Sequence, residues 1–207
     1  SIESLGLGKT RTKKFSELLE NPEGLILITG PTGSGKTTTM YTALSLLAKT
    51  GKKIITAEDP VEKNIPNVNQ KQVSKHMDFS DYAKAFLRQD PNVMMIGEIR
   101  DADTAGMAIR AAQNGALVLS SLHTADALRS ITRMYSLGVD WDLLVNSLLA
   151  VINQRLLRKI CVHCKKEYSP SEEERQRLNL EQFPGPYYTG AGCEQCFHTG
   201  YKGRVAV

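Results

Sequence analysis

The stretch Leu25-Ile26-Leu27-Ile28-Thr29-Gly30-Pro31-Thr32-Gly33-Ser34-Gly35-Lys36-Thr37-Thr38 decides how the rest of the chain is read. Its first five residues form an apolar run of strand length, and beyond Thr37 the residues Met40, Leu44 and Leu47 recur with helical spacing. Between the two, residues 30–37 fit G-x-x-x-x-G-K-[ST] in the strand–loop–helix setting that this motif requires. The glycines let backbone N–H groups turn inward around a phosphate, and the helix start adds the positive end of its dipole. A nucleoside triphosphate is therefore expected on Gly30, Pro31, Thr32, Gly33, Ser34, Gly35, Lys36, Thr37 and Thr38. Lys36 would reach the β and γ oxygens, and the Thr37 hydroxyl would hold Mg²⁺. The competing reading is a glycine-rich turn with no ligand, and the flanking strand and helix weigh against it.

The same alternation continues outward from this loop. Gly51 closes the helix, residues 53–57 read as a second strand, and Glu58-Asp59-Pro60 ends it. Ser80 is expected to cap a helix that runs to about Gln89. After the turn at Asp90-Pro91, Val93-Met94-Met95-Ile96 is an apolar strand ending at Gly97-Glu98. A helix over 103–114, a strand over 117–121 and a helix over 126–136 complete the order βαβαβαβα. That order predicts an α/β fold with a mainly parallel sheet covered on both faces. Over residues 141–159, Leu144, Leu148, Val151, Ile152 and Leu156 share a helical stripe, so one long helix is expected there. The division that follows is a nucleotide-binding domain over 1–158, a small module over 159–204, and the start of a further segment over 205–207.

Ligands of parallel sheets lie at the carboxyl ends of the strands, so the residues just past each strand matter most. Glu58 and Asp59 end the second strand, Glu98 ends the apolar strand, and His123-Thr124 follow the strand at 117–121. Hydrolysis of a phosphoanhydride calls for a polarised water, a metal shell and a group near the γ-phosphate. Glu98 stands where a Walker B carboxylate stands. Gly97 occupies the place where many such enzymes carry a metal-ordering Asp, so Glu58 or Asp59 is expected to share the water and metal work. Acidic residues also commonly begin loops, and a lone His after a strand is usually a loop residue, so spacing alone does not assign His123.

All four cysteines follow residue 160, as Cys161-x-x-Cys164 and Cys193-x-x-Cys196 with 28 residues between the pairs. This is the pattern of two knuckles that deliver four thiolates to a tetrahedral Zn²⁺. Two disulfides are out of place beside an intracellular nucleotide site, and a redox dithiol has no need of a second pair. Four protein ligands leave no open position for catalysis, so the expected role is structural, in a module too small for a core of its own. His163 and His198 read as bystanders.

Composition sets the remaining bounds. In 207 residues, 41% hydrophobic content is enough for a core and excludes a disordered tail. The longest uncharged stretch, residues 111–125, is interrupted by Gln113, Asn114, Ser120 and Ser121, so no membrane span is read. No apolar signal region follows the N-terminus and the chain opens on Ser1, which reads as a cytoplasmic protein given as part of a longer one. The 26 basic and 22 acidic residues are interspersed, and the cluster Lys9, Arg11, Lys13 and Lys14 reads as solvated surface.

These residues resemble the secretion and pilus motor ATPases, in the branch of type II secretion and type IV pilus assembly. Residues 30–37 look like that family's Walker A, and Ala57-Glu58-Asp59-Pro60-Val61-Glu62 like its Asp box. Leu87-Arg88-Gln89-Asp90-Pro91 through Gly97-Glu98-Ile99-Arg100-Asp101 looks like its Walker B region, and Leu122-His123-Thr124-Ala125-Asp126-Ala127 like its His box. Gln154-Arg155-Leu156 leading into the cysteines is similar too. The resemblance implies a RecA-like P-loop domain that hydrolyses ATP with Mg²⁺, works as a hexameric ring, and moves an inner-membrane platform protein from the cytoplasmic face of that membrane. It makes Glu98, Glu58, Asp59 and His123 the catalytic set, with His123 near the γ-phosphate. The tetracysteine favours assembly or secretion over retraction. Where the family usually reads Thr-Gly-His, this chain has Asn114-Gly115-Ala116. Arginines that complete the site belong, by resemblance, to an N-terminal domain of a neighbouring subunit, so this chain alone is expected to bind ATP and turn it over slowly.

Two rival classes share parts of this pattern. A nucleic-acid motor, such as one for DNA uptake, should show a basic stripe with stacking aromatics, yet aromatics are 6% of residues and the charges are scattered. A small-molecule kinase with a zinc lid would share the loop and the cysteines but has no need of the Asp and His boxes together.

Overall fold

Strand β1 (Gly24–Thr29) is buried along its whole length, as an apolar run must be when it has a strand on each side and a layer on each face. Around it lie β2 (Ile54–Glu58), β3 (Asn69–Gln72), β4 (Val93–Ile96), β5 (Leu117–Leu122) and β6 (Leu148–Asn153). The computed structural model, which describes residues 2–207, gives the order β3-β2-β4-β5-β1-β6, and every pairing in this sheet is parallel. The expectation of a mainly parallel α/β sheet holds, and edge strand β3, too polar to be read from sequence, is added to it.

Helices α1 (Lys9–Leu19), α2 (Lys36–Leu47), α3 (Phe79–Leu87), α4 (Ala102–Gln113), α5 (Ala127–Ser136) and α6 (Trp141–Ser147) accompany the sheet. Leu25 and Leu27 of β1, Ile55 and Ala57 of β2, and Met94 and Ile96 of β4 share one core with Phe86 of α3 and Ala108 and Ile109 of α4. Strand alternation turns Ile26, Ile28 and Met95 to the opposite face, and they are equally buried. On α1, Phe15 and Leu19 are buried, whereas Lys9, Arg11, Lys13 and Lys14 are exposed.

Several local expectations need correction. The helix over residues 141–159 stops at Ser147, and Leu148–Asn153 instead pairs with β1 as the edge of the sheet. Leu148, Val151 and Ile152 fit a helical stripe and a strand equally well, and the open edge of β1 decides in favour of the strand. Ser80 does not cap α3. Asp78 does, accepting from the Asp81 N–H while Asp81 accepts from the Asp78 N–H, and Ser80 is buried as the second residue of the helix. Glu58 is the last residue of β2 rather than the first beyond it.

The chain divides into two compact units. One runs up to Arg155 and includes Ala206–Val207, and the other is Leu156–Val205. The second holds β7 (Leu156–Ile160), β8 (Lys165–Tyr168), α7 (Glu172–Arg177), β9 (Tyr187–Gly190) and nearly all of β10 (Tyr201–Ala206). Here β7 pairs with β10, and β8 pairs antiparallel with β9. Among the described residues, no helix is long and apolar enough to cross a membrane.

Candidate nucleotide site and cysteine cluster

Past the carboxyl end of β1 the chain must turn sharply, and Gly30 (φ 138°) makes that turn. A Cβ at this position would lie 2.3 Å from the Gln154 carbonyl oxygen and 2.8 Å from Ser34 Oγ, so only glycine fits. The loop then enters α2 with Gly35 as the residue before the first helical turn, whose N–H groups have no partners within the helix. Lys36 is buried, and its ammonium donates to the Gly30 and Pro31 carbonyls at 2.9 and 3.1 Å. Burial holds the Lys36 pKa below its ordinary value, and the negative charge of Glu98 opposes that shift.

Strand order sets the distance over which Glu98 acts. β5 lies between β1 and β4, so the phosphate loop and Glu98 leave strands two places apart, about 10 Å at ordinary strand spacing. That gap accommodates a phosphoryl group and a water. Glu98 is fixed from both sides: the Ser121 hydroxyl donates to the Gly97 carbonyl at 2.8 Å, and the Ile99 N–H donates to the Ser121 carbonyl at 3.0 Å. Its carboxylate pairs through Oε1 with Arg100 and faces His123 Nε2 from Oε2 at 3.5 Å. Arg100 also stands 3.6 Å from Asp59 and 5.7 Å from the centre of the Phe79 ring. The Glu98 carboxylate, through hydrogen bond and charge, raises the Arg100 pKa.

Gly97 stands where a side chain has little room. A Cβ there would meet Phe79 Cε1 at 3.2 Å and the Ala57 carbonyl at 3.3 Å, so a side chain at this position would press on the packed α3 side of the sheet. Glu58 is 3% exposed and has its oxygens engaged by Tyr41, by Thr56 Oγ1 at 2.5 Å and by Gln70 Nε2 at 3.0 Å. Tyr41 in turn accepts from the Glu62 N–H at 3.0 Å, so helix α2 and the loop after β2 share one network. Glu98, Asp59 and His123 are thus brought together through Arg100 and Glu98, whereas Glu58 is bound into a separate hydrogen-bonded group.

Sequence reasoning assigned no role to Gln154, Tyr41 or Gln70. Gln154 donates from Nε2 to the Ser34 carbonyl at 2.7 Å and accepts from Thr39 Oγ1 at 2.7 Å. Reading residues 148–153 as a strand would have placed Gln154 at the carboxyl edge of the sheet, where site residues are sought.

In the second unit, Cys161, Cys164, Cys193 and Cys196 bring their sulfurs within 4.8 Å of one another. Sulfur–sulfur distances of 3.9 Å (161–193), 3.8 Å (164–196) and 3.8 Å (193–196) match the edge of about 3.8 Å of a tetrahedron with metal–sulfur bonds of about 2.3 Å. Cys196 Sγ also accepts from the Cys193 and Gly200 N–H groups at 3.3 Å each. These residues fit a tetrathiolate metal centre.

Together, the loop on a parallel sheet with a strand inserted before Glu98 defines a RecA-like P-loop nucleoside triphosphatase fold. The chain belongs to the family of type II/IV secretion system proteins, whose profile matches residues 1–207. It is 47% identical over 214 residues to the type IV pilus assembly ATPase PilB of Pseudomonas aeruginosa, covering 100% of this chain and 37% of that one. Against type II secretion system protein E of Aeromonas hydrophila it is 45% identical over 209 residues, covering 100% and 42%. The chain therefore spans about two fifths of these relatives. Among solved structures, the pilus retraction motor PilT with bound ADP superposes with a TM-score of 0.69 at 33% identity, over 90% of this chain and 60% of that one.

Proposed function

We propose that this chain is the nucleotide-hydrolysing part of a motor ATPase that drives assembly of a pilus or pseudopilus, or protein secretion. The observation that carries this reading is the placement of Glu98 across from the phosphate loop, one intervening strand away and close enough to act on the Lys36 charge. Gly30, Pro31, Thr32, Gly33, Ser34, Gly35, Lys36, Thr37 and Thr38 hold ATP, with Lys36 on the β and γ oxygens. Thr37 Oγ1 would hold Mg²⁺, which would supply neutralisation of the phosphate charge. Glu98 accepts a proton from water as the water oxygen attacks the γ-phosphorus, the bond to the bridging oxygen breaks, and ADP leaves. His123 stands beside the γ-phosphate, and Asp59 supports the site through Arg100. Glu58, already engaged by three donors, positions the loop after β2. Cys161, Cys164, Cys193 and Cys196 would hold a structural Zn²⁺.

Charge on the transferred phosphoryl is met by arginines in many such enzymes, worth about 10³ to 10⁵ in rate. We place those on a neighbouring subunit of a hexameric ring at the cytoplasmic face of the inner membrane, working on a platform protein there. The test of the nucleotide reading is Mg-ATP binding by calorimetry: the parent chain binds and Lys36→Ala does not. Equal binding by the two would exclude this site.

A further inference from the structure

Gln154 is 2% exposed, and each half of its amide is spent on the nucleotide loop or the helix that follows it. Ser34 offers a carbonyl that can only accept, so the Gln154 NH₂ group must face it, and the amide oxygen must face Thr39 Oγ1. The Gln154 N–H donates to the Thr29 carbonyl at 2.9 Å, which anchors this residue to the end of β1 immediately before the loop. Thr39 is fully buried one turn into α2. One residue thus joins three points: its backbone N–H holds the end of β1, and its side-chain amide holds the Ser34 carbonyl of the loop and Thr39 in α2.

A trans peptide is planar, with its C=O and N–H pointing in opposite directions. Holding the Ser34 carbonyl on Gln154 therefore aims the Gly35 N–H the other way, and this N–H belongs to the glycine-rich turn that cradles phosphate. We propose that Gln154 is a positioning residue for the nucleotide: it fixes the Ser34–Gly35 peptide in the orientation that presents the Gly35 N–H to a phosphate oxygen. The inference rests on the reading of residues 30–38 as the nucleotide site. Without Gln154, the buried Ser34 carbonyl has lost its partner, and the peptide is free to turn toward the loop interior, where a carbonyl oxygen repels an anion.

The sharpest variant is Gln154→Glu, which keeps size and shape. Ionised, its carboxylate sets an oxygen against the Ser34 carbonyl. Protonated, it donates an O–H to that carbonyl and still accepts from Thr39. A carboxyl buried at this position and facing a carbonyl has its pKa raised. Calorimetry with Mg-ATP is expected to show Gln154→Glu binding about tenfold or more weaker than the parent at pH 8. The ratio of variant to parent affinity should then recover as the pH falls toward 5.5. Gln154→Leu should show a comparable loss with no recovery, and Thr39→Val a smaller one. Melting temperatures and zinc content of each variant report folding separately.

Amide hydrogen exchange over residues 30–37, measured without nucleotide, tests the clamp on its own. Protection of these amides should fall in Gln154→Leu. A parent chain that binds Mg-ATP, beside Gln154→Glu and Gln154→Leu variants that bind it equally tightly at pH 8, overturns the proposal. A parent that fails to bind overturns the nucleotide reading instead, and the clamp is then judged by exchange, where unchanged protection in Gln154→Leu rejects it.

Discussion

His123 Nε2 stands 3.5 Å from Glu98 Oε2, while Arg100 holds the other oxygen of the same carboxylate. These two partners, one on each oxygen, leave Glu98 with little freedom to turn away from the loop. His123 is half-exposed and free to approach a bound γ-phosphate, whereas Glu98 is mostly enclosed. His123→Ala should therefore lower kcat about tenfold or more in the full-length protein while changing ATP affinity less than threefold. A variant with normal kcat would remove His123 from the catalytic set.

The sulfur–sulfur spacing in the cysteine cluster suits a tetrahedral metal ion. Purified protein should contain close to one zinc per chain by elemental analysis, and Cys161→Ser should lose it. Structural zinc contributes about 10 to 16 kcal/mol of apparent binding free energy at neutral pH, so a strong chelator should unfold the cysteine unit before the nucleotide unit. Four thiols reactive under native conditions, with zinc below about a tenth of stoichiometry, would contradict this.

Tyr41 is expected to act through stability. Its hydroxyl donates to the buried Glu58 carboxylate and accepts from the Glu62 N–H. Tyr41→Phe should cost about 1 to 3 kcal/mol in denaturant unfolding. Burial, and then the hydrogen bond to Glu58, push the phenol up to about 12 from its ordinary value of 10.0. Raised in the folded state, the pKa implies a contribution fully present below pH 10 and lost as the pH rises through about 12. The difference between Tyr41→Phe and parent should accordingly be flat from pH 6 to 9. A penalty that varied over that range would assign the effect to another group.

How much of this was legible in the sequence depends on what each residue answers to. The phosphate loop, Glu98 and the cysteine pairs obey local spacing rules: the loop and Glu98 follow the expected strands β1 and β4, and the four cysteines bring their sulfurs together although the helix expected before Cys161 is a strand. The sheet order was not readable, because parallel pairing is settled by contacts far apart in the chain: β1 pairs with β5 and β6 rather than with β2. Residues 148–153 show the cost most plainly. Their apolar pattern satisfies both periodicities, so only the vacant side of β1 makes them a strand, and a helical reading hides that Gln154 stands at the carboxyl edge of the sheet. Ser80 looked like a cap by residue type, but Asp78, two residues earlier, has the reciprocal partner Asp81. Strand β3, Asn69-Gln70-Lys71-Gln72, has no apolar signal because it closes the sheet at its exposed edge.

The role proposed for Glu98 is to activate the water that cleaves ATP held on residues 30–38. It is tested most directly by phosphate release from the full-length protein carrying Glu98→Gln, with bound nucleotide quantified in the same samples. The change keeps shape and removes the proton acceptor, whose contribution is about 10²- to 10⁴-fold. ATP should be bound to the same occupancy as in the parent, with phosphate release at least a hundredfold slower. Release at the parental rate with normal occupancy would contradict it and move the role of proton acceptor to Glu58 or Asp59.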